Sequence, residues 1–121
     1  MWIVSLKRLR EFWSEHERAQ IPLRSWYTQV AASRWRNFAE IRATFPSADL
    51  VGNCTVFNIA GNHYRLITRV LFPSHKVFVL RVMTHREYDQ IDWATQCGCY
   101  QPPPKRRATL PRRPGIRRRR P

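Results

Sequence analysis

Two runs of residues constrain this chain more than anything else in it. Tyr64-Arg65-Leu66-Ile67-Thr68-Arg69-Val70-Leu71 and the stretch from Lys76 to Met83 are each strand-length and rich in branched apolar residues. Only a short turn, Pro73-Ser74-His75, separates their cores. Runs of this kind joined so closely pair antiparallel. Gly61-Asn62 is a second hairpin signal, and Thr55-Val56-Phe57-Asn58-Ile59 before it adds a third strand.

Successive strand residues face opposite sides. Arg65, Ile67 and Arg69 should therefore share one face of their strand, and Tyr64, Leu66 and Thr68 the other. In the next strand Val77, Val79, Arg81 and Met83 should alternate against Phe78, Leu80 and Val82. The expectation is one apolar face for the core and one open face presenting Arg65 or Arg69 near Arg81. A solvated sheet face with ordinary charges fits the same alternation equally well.

The N-terminal half has a different period. Trp2-Ile3-Val4 reads as a first strand, and Ser5 is placed to cap a helix over roughly 6–17. Leu6, Leu9, Phe12, Trp13 and His16 form one apolar stripe in it. Pro22 suits the first turn of a second helix with the stripe Leu23, Trp26, Tyr27 and Val30. Ser33 is expected to cap a third, with Trp35, Phe38 and Ile41 inward and Phe45-Pro46 at its end. The segment around Ser47-Ala48-Asp49 and Gly52-Asn53 reads as turns. Thr84 can cap a last short helix through about Ile91. Helices first and an antiparallel sheet after is an α+β order. The aromatic stripes are better explained by a packed core than by a ligand box.

Composition separates a body from a tail. The formal net charge is +14 over 121 residues, and all eight acidic residues lie at or before Asp92. Up to Trp93, thirteen basic residues stand against eight acidic ones, a net of +5; nine more basic residues follow Tyr100. A body at that charge suits a polyanionic partner. From Thr95 onward Pro102-Pro103-Pro104, Pro111, Pro114 and Pro121 alternate with arginines, and aliphatic residues nearly vanish. Such a segment buries too little surface to offset its ordering entropy, so it is expected to be disordered. The division read from sequence is a domain over 1–93 and a tail over 94–121.

No apolar run approaches membrane-span length, and the apolar residues of Met-Trp-Ile-Val-Ser-Leu-Lys-Arg precede the charges, the reverse of a secretory signal. Cys54, Cys97 and Cys99 are odd in number, and Cys97-Gly98-Cys99 is spaced too closely for the usual metal or redox pair. His16, His63, His75 and His85 add no ligand-spaced cluster. Reduced thiols in a cytoplasmic protein, with no metal and no cofactor, are the expectation.

Several segments together resemble the HigB toxin family, part of the RelE-like group of bacterial toxin–antitoxin systems. They are Leu9-Arg10-Glu11-Phe12-Trp13, Pro22-Leu23-Arg24-Ser25-Trp26-Tyr27, Thr44-Phe45-Pro46-Ser47-Ala48-Asp49, Gly52-Asn53, Val56-Phe57-Asn58-Ile59, Asn62-His63-Tyr64-Arg65-Leu66 and Thr84-His85-Arg86-Glu87-Tyr88-Asp89. The match runs in order from Met1 to about Asp92. None of these segments is specific alone; in register they are.

The resemblance implies a microbial-ribonuclease-like fold and an mRNA endonuclease acting on translating ribosomes. It also implies neutralisation by a HigA-type helix-turn-helix antitoxin, with operator DNA bound only through that antitoxin. RNA cleavage by a ribose 2′-hydroxyl needs a base, an acid and a cation for the charge that develops. The family's arginine in the Tyr-Arg-Leu strand falls on Arg65, as clamp of the scissile phosphate. Its proton-transfer and tyrosine positions near the chain's end point to His85 and Tyr88. Histidine ordinarily titrates near neutral pH, and tyrosine can stack on a base. Arg81 would add a second cation, with Arg69, His63 and Asn58 as further RNA-binding candidates.

The tail departs from the family pattern. It is either a polybasic arm raising RNA affinity through counterion release or an extension drawn from the wrong reading frame. Proline and arginine without balancing acids favour the second. The rival functional readings are a non-catalytic RNA- or ribosome-binding protein and an inactive toxin that still binds its antitoxin.

Overall fold

The computed structural model describes residues 1–99. Residues 100–121, most of the tail for which composition predicts disorder, lie outside the described residues. The order is β1 (Trp2–Val4), α1 (Leu6–Glu15), a 3-10 turn (Glu17–Ala19), α2 (Gln20–Ala31), α3 (Phe38–Thr44), β2 (Asp49–Val51), β3 (Cys54–Ile59), β4 (Tyr64–Leu71), β5 (Lys76–Thr84), α4 (His85–Gln90) and α5 (Trp93–Gln96). The fold is α+β. Five strands form one sheet in the order β1-β5-β4-β3-β2. Strand β1 runs parallel to β5, and every other pairing is antiparallel.

One face of the sheet is covered by the helices and the other in part by the 93–99 segment. On one face Phe57, Ile59, Tyr64, Leu66, Val77 and Val79 pack with Leu9, Leu23, Trp26, Val30 and Ile41 of the helices. The apolar stripes of α1 and α2 thus do what their spacing predicts. On the other face Cys54, Val56, Ile67 and Met83 pack with Trp93, Ala94 and Cys99. Residues 94–99, which composition assigns to the tail, therefore belong to the packed body: Ala94 and Cys99 are buried, and the Cys99 N–H donates to Ala94 O at 2.8 Å.

Several expectations are corrected. The third helix is capped by Asn37, whose side chain accepts from the Glu40 N–H at 3.0 Å. Ser33 does not cap it: its hydroxyl donates back to Gln29 O, extending the end of α2. Trp35 precedes the helix but is still buried. The alternation in β5 breaks at a bulge, where Ile67 faces Arg81 while Thr68 faces Val79. One extra residue flips the facing pattern. Val77 and Val79 consequently join the helix side, while Arg81 and Met83 remain on the side of Arg65. That side is not open, because α5 and Cys99 cover part of it. Finally, Cys54 and Cys99 form a disulfide, so reduced thiols throughout is wrong; Cys97 alone is free among the described cysteines. The two bonded residues are 45 apart in sequence, and only the fold brings them together.

Candidate active site

The junction of β4, β5 and α4 assembles most of the residues singled out from sequence. Asn58 of β3 pairs with Arg65 of β4, which pairs with Met83 of β5, so these three form one row on the same sheet face. The chain then turns into α4 through Thr84. The Thr84 hydroxyl accepts from the Glu87 N–H at 3.2 Å, and the Glu87 carboxylate accepts from the Thr84 N–H at 3.0 Å, a complete capping box. A helix of six residues is too short to persist unaided, so this cap sets where its side chains stand. Thr84→Ala should cost about 1 kcal/mol of stability in urea unfolding, with Thr84→Ser retaining most of it. Equal stability of the alanine variant would show that packing alone holds α4.

Three side chains of this junction stack in order. The Arg65 guanidinium lies 5.3 Å from the centroid of the Tyr88 ring. Tyr88 stacks on Trp93, with centroids 4.8 Å apart and planes 22° apart. Arg65 Nη1 also donates to Asn62 O and Tyr64 O, each at 3.2 Å. The cation is thus fixed by its own strand and by an aromatic face, an attraction worth about 0.5–1 kcal/mol at a partly exposed site. Among the described residues no carboxylate pairs with it, so its charge stays available for an anion.

His85 opens α4, and its backbone N–H donates to His63 O at 3.0 Å, which places the two histidines side by side. Its Nδ1 lies 3.1 Å from Asp89 Oδ2, one helical turn on. Both side chains are about half exposed, so the pair adds little stability. Its value is orientation: a carboxylate on Nδ1 fixes the tautomer and leaves Nε2 for a substrate. The His63 ring lies beside Tyr64, with centroids 6.2 Å apart.

Arg81 and Arg69 stand apart from this group. They occupy the same sheet face further along the strands, and both are engaged. Arg81 Nη1 donates to Gln96 Oε1 at 2.7 Å, and Arg69 Nη2 donates to Gly98 O at 2.9 Å. Sequence reasoning did not find Trp93 or Asp89 as site residues. Trp93 stands at the composition boundary between body and tail, and only the fold brings its ring against Tyr88. Asp89 could have been found from its four-residue spacing to His85.

Among the described residues no group of three or more His, Cys, Asp or Glu is placed to hold a metal ion. No helix of the described residues is long and apolar enough to cross a membrane.

A mostly antiparallel five-stranded sheet backed by helices on one face is the architecture of the RelE-like class. A family model described as the HigB toxin, the RelE-like toxic component of a toxin–antitoxin system, matches residues 19–91. The chain belongs to the HigB toxin family. It is 29% identical over 92 residues to the mRNA interferase toxin HigB of Escherichia coli (strain K12), covering 74% of this chain and 88% of that protein. The mRNA interferases HigB of Escherichia coli O157:H7 and Shigella flexneri match to the same extent, 29% over 92 residues.

Proposed function

We propose that this toxin is an endoribonuclease that cuts mRNA on the translating ribosome and so inhibits translation in the cytoplasm. The observation that carries the reading is the Arg65–Tyr88 pair beside the His85–Asp89 pair. The related HigB proteins bear the name mRNA interferase. Arg65 holds the scissile phosphate and takes up charge as the 2′-hydroxyl attacks. His85, oriented by Asp89, transfers the proton through Nε2. Tyr88 presents a ring already aligned beside a cation, suited to orient or stack on the nucleotide.

Asn58, paired with Arg65 across β3 and β4, and His63, two residues before it, are the further residues to contact RNA. Arg69 and Arg81 contribute positive potential along the same face, and contact RNA directly only where the 96–98 segment gives way. The partner that silences the toxin is a HigA-type helix-turn-helix antitoxin, through which alone the complex meets operator DNA.

The test is induced expression in a bacterium with mapping of mRNA 5′ ends. The chain should produce new ends within translated frames, and His85→Ala should reduce them by roughly 10²-fold, the usual contribution of a positioned proton-transfer group. If His85→Ala and Arg65→Ala both still arrest growth and cut mRNA, the site is elsewhere. Ribosome binding without new ends would support the non-catalytic reading instead.

A further inference from the structure

The 93–99 segment meets the candidate site through Trp93, and one covalent bond ties its other end to the sheet. Cys99 is joined to Cys54, the first residue of β3, and both are 0% exposed. The Asn53 N–H donates to Cys99 O at 2.8 Å beside that bond. Between the tie and the site, Gly98 O and Gln96 Oε1 receive Arg69 and Arg81. At the segment's start Trp93 backs Tyr88, on which Arg65 rests. Helix α5 is four residues long and cannot hold this arrangement by its own propensity.

We propose that the Cys54–Cys99 disulfide is a redox-controlled latch that clamps residues 93–99 to the sheet and thereby positions Tyr88 and Arg65. Its effect on RNA cleavage rests on the endoribonuclease reading; the latch itself does not. Closing it removes two protons and two electrons from the two thiols. A disulfide oxidant such as glutathione disulfide accepts them through a mixed disulfide and departs as two glutathione thiols; a dithiol reductant reverses the exchange. Attack on either sulfur requires access. Neither sulfur has any while the segment is closed, so exchange passes through local opening of 93–99. That opening also withdraws Trp93 from Tyr88, which couples the redox state to the site. Disulfides of reducing compartments are commonly sensing or transient ones, in keeping with this role. Cys97 is the built-in control: it is free, and burial pushes its thiol pKa up, which makes it a poor nucleophile at neutral pH.

The full chain is equilibrated with oxidised or reduced glutathione, or with a dithiol reductant. Thiols are counted by alkylation and mass, amide exchange is followed at Asn53, Tyr88, Cys97 and Cys99, and cleavage of ribosome-loaded mRNA is timed. In oxidising buffer one thiol should be alkylated; on reduction all three. Reduction should speed exchange at these amides roughly tenfold or more and lower kcat by roughly tenfold, with KM changed less. Cys97→Ser should behave as wild type, while Cys54→Ser and Cys99→Ser should resemble the reduced form in either buffer. Should the serine variants fail to fold, reduction of the wild-type chain carries the test. Three alkylated thiols in oxidising buffer, or equal exchange in both states, overturns the latch. A redox-dependent exchange with unchanged kcat overturns its role in positioning. A redox-dependent exchange with no cleavage in either state supports the latch and overturns the endoribonuclease reading.

Discussion

Replacing Arg65 by alanine should lower kcat for mRNA cleavage by roughly 10²–10³-fold, the loss seen when one preorganised donor to a developing charge is removed. The expectation follows from how the guanidinium is held. It leans on the Tyr88 ring and donates to two carbonyls of its own strand segment, so it needs no rearrangement when a phosphate arrives. Arg65→Lys should recover only part of the rate, because an ammonium offers neither the planar fork nor the stacking surface. Stability should fall by no more than about 1 kcal/mol, since the main loss is one partly exposed cation–π contact. Single-turnover cleavage and urea unfolding of the same preparations separate the two effects. An alanine variant within about threefold of the wild-type rate would remove Arg65 from the role given to it.

That site was partly legible in the sequence, and the reasons differ residue by residue. Arg65 and the bounds of β4 were readable because Gly61-Asn62 and Pro73 punctuate an unmistakable strand. His85 and Tyr88 are legible as residues of a last helix because Thr84 is a competent cap, while the Glu87 half of the capping box is a finding of the structure. The bulge was hidden: Val77-Phe78-Val79-Leu80 is apolar throughout, so alternation there has no polar marker to shift. Strand β2 sits in a segment rich in turn residues, and its three residues are too few to show a period. Ser33 and Asn37 are both competent caps, and the choice between them rests on where Glu40 and the buried Trp35 lie in space. The disulfide could not be read at all, since Cys97-Gly98-Cys99 draws the eye to a local pair while the partner lies across the sheet.

The hidden disulfide and the covered arginines share a cause, which is that the second face of the sheet is built from sequence-distant pieces. Val56, Ile67 and Met83 come from three strands, and Trp93, Ala94 and Cys99 from a segment whose composition already resembles the tail. Arg69 and Arg81 look like free cations in the strand pattern, yet the final turn answers both. A chain cut after Trp93 would therefore lose part of the body along with the tail. A cut after Cys99 is the one that compares body with tail in a salt titration, where the tail's nine basic residues should steepen the dependence of RNA affinity on salt.

Phe57→Ala should destabilise the body by about 3–5 kcal/mol, a large share of the roughly 5–15 kcal/mol that holds a domain of this size together. Phe57 is 1% exposed and meets three other rings: Phe45 at 5.1 Å, Trp26 at 5.4 Å and Trp35 at 6.3 Å between centroids. Two of these contacts are edge-on, the geometry that adds to plain burial. Its removal leaves a cavity that α2, the chain before α3 and the middle of β3 all border, and no single element can move to fill it. With a urea slope of about 1–3 kcal/mol per M, the midpoint should drop by at least about 1 M. The disulfide must stay oxidised in that measurement, because it constrains the unfolded chain independently. Phe57→Leu, which keeps much of the apolar volume, should lose less. The neighbouring residues Val56 and Asn58 face the other side of β3, toward the latch and Arg65, so folded Phe57→Ala protein at low temperature should cut mRNA at close to the wild-type rate. A loss of activity without a shift in midpoint would mean that the two faces of β3 are not separable, and that the aromatic core positions the site directly.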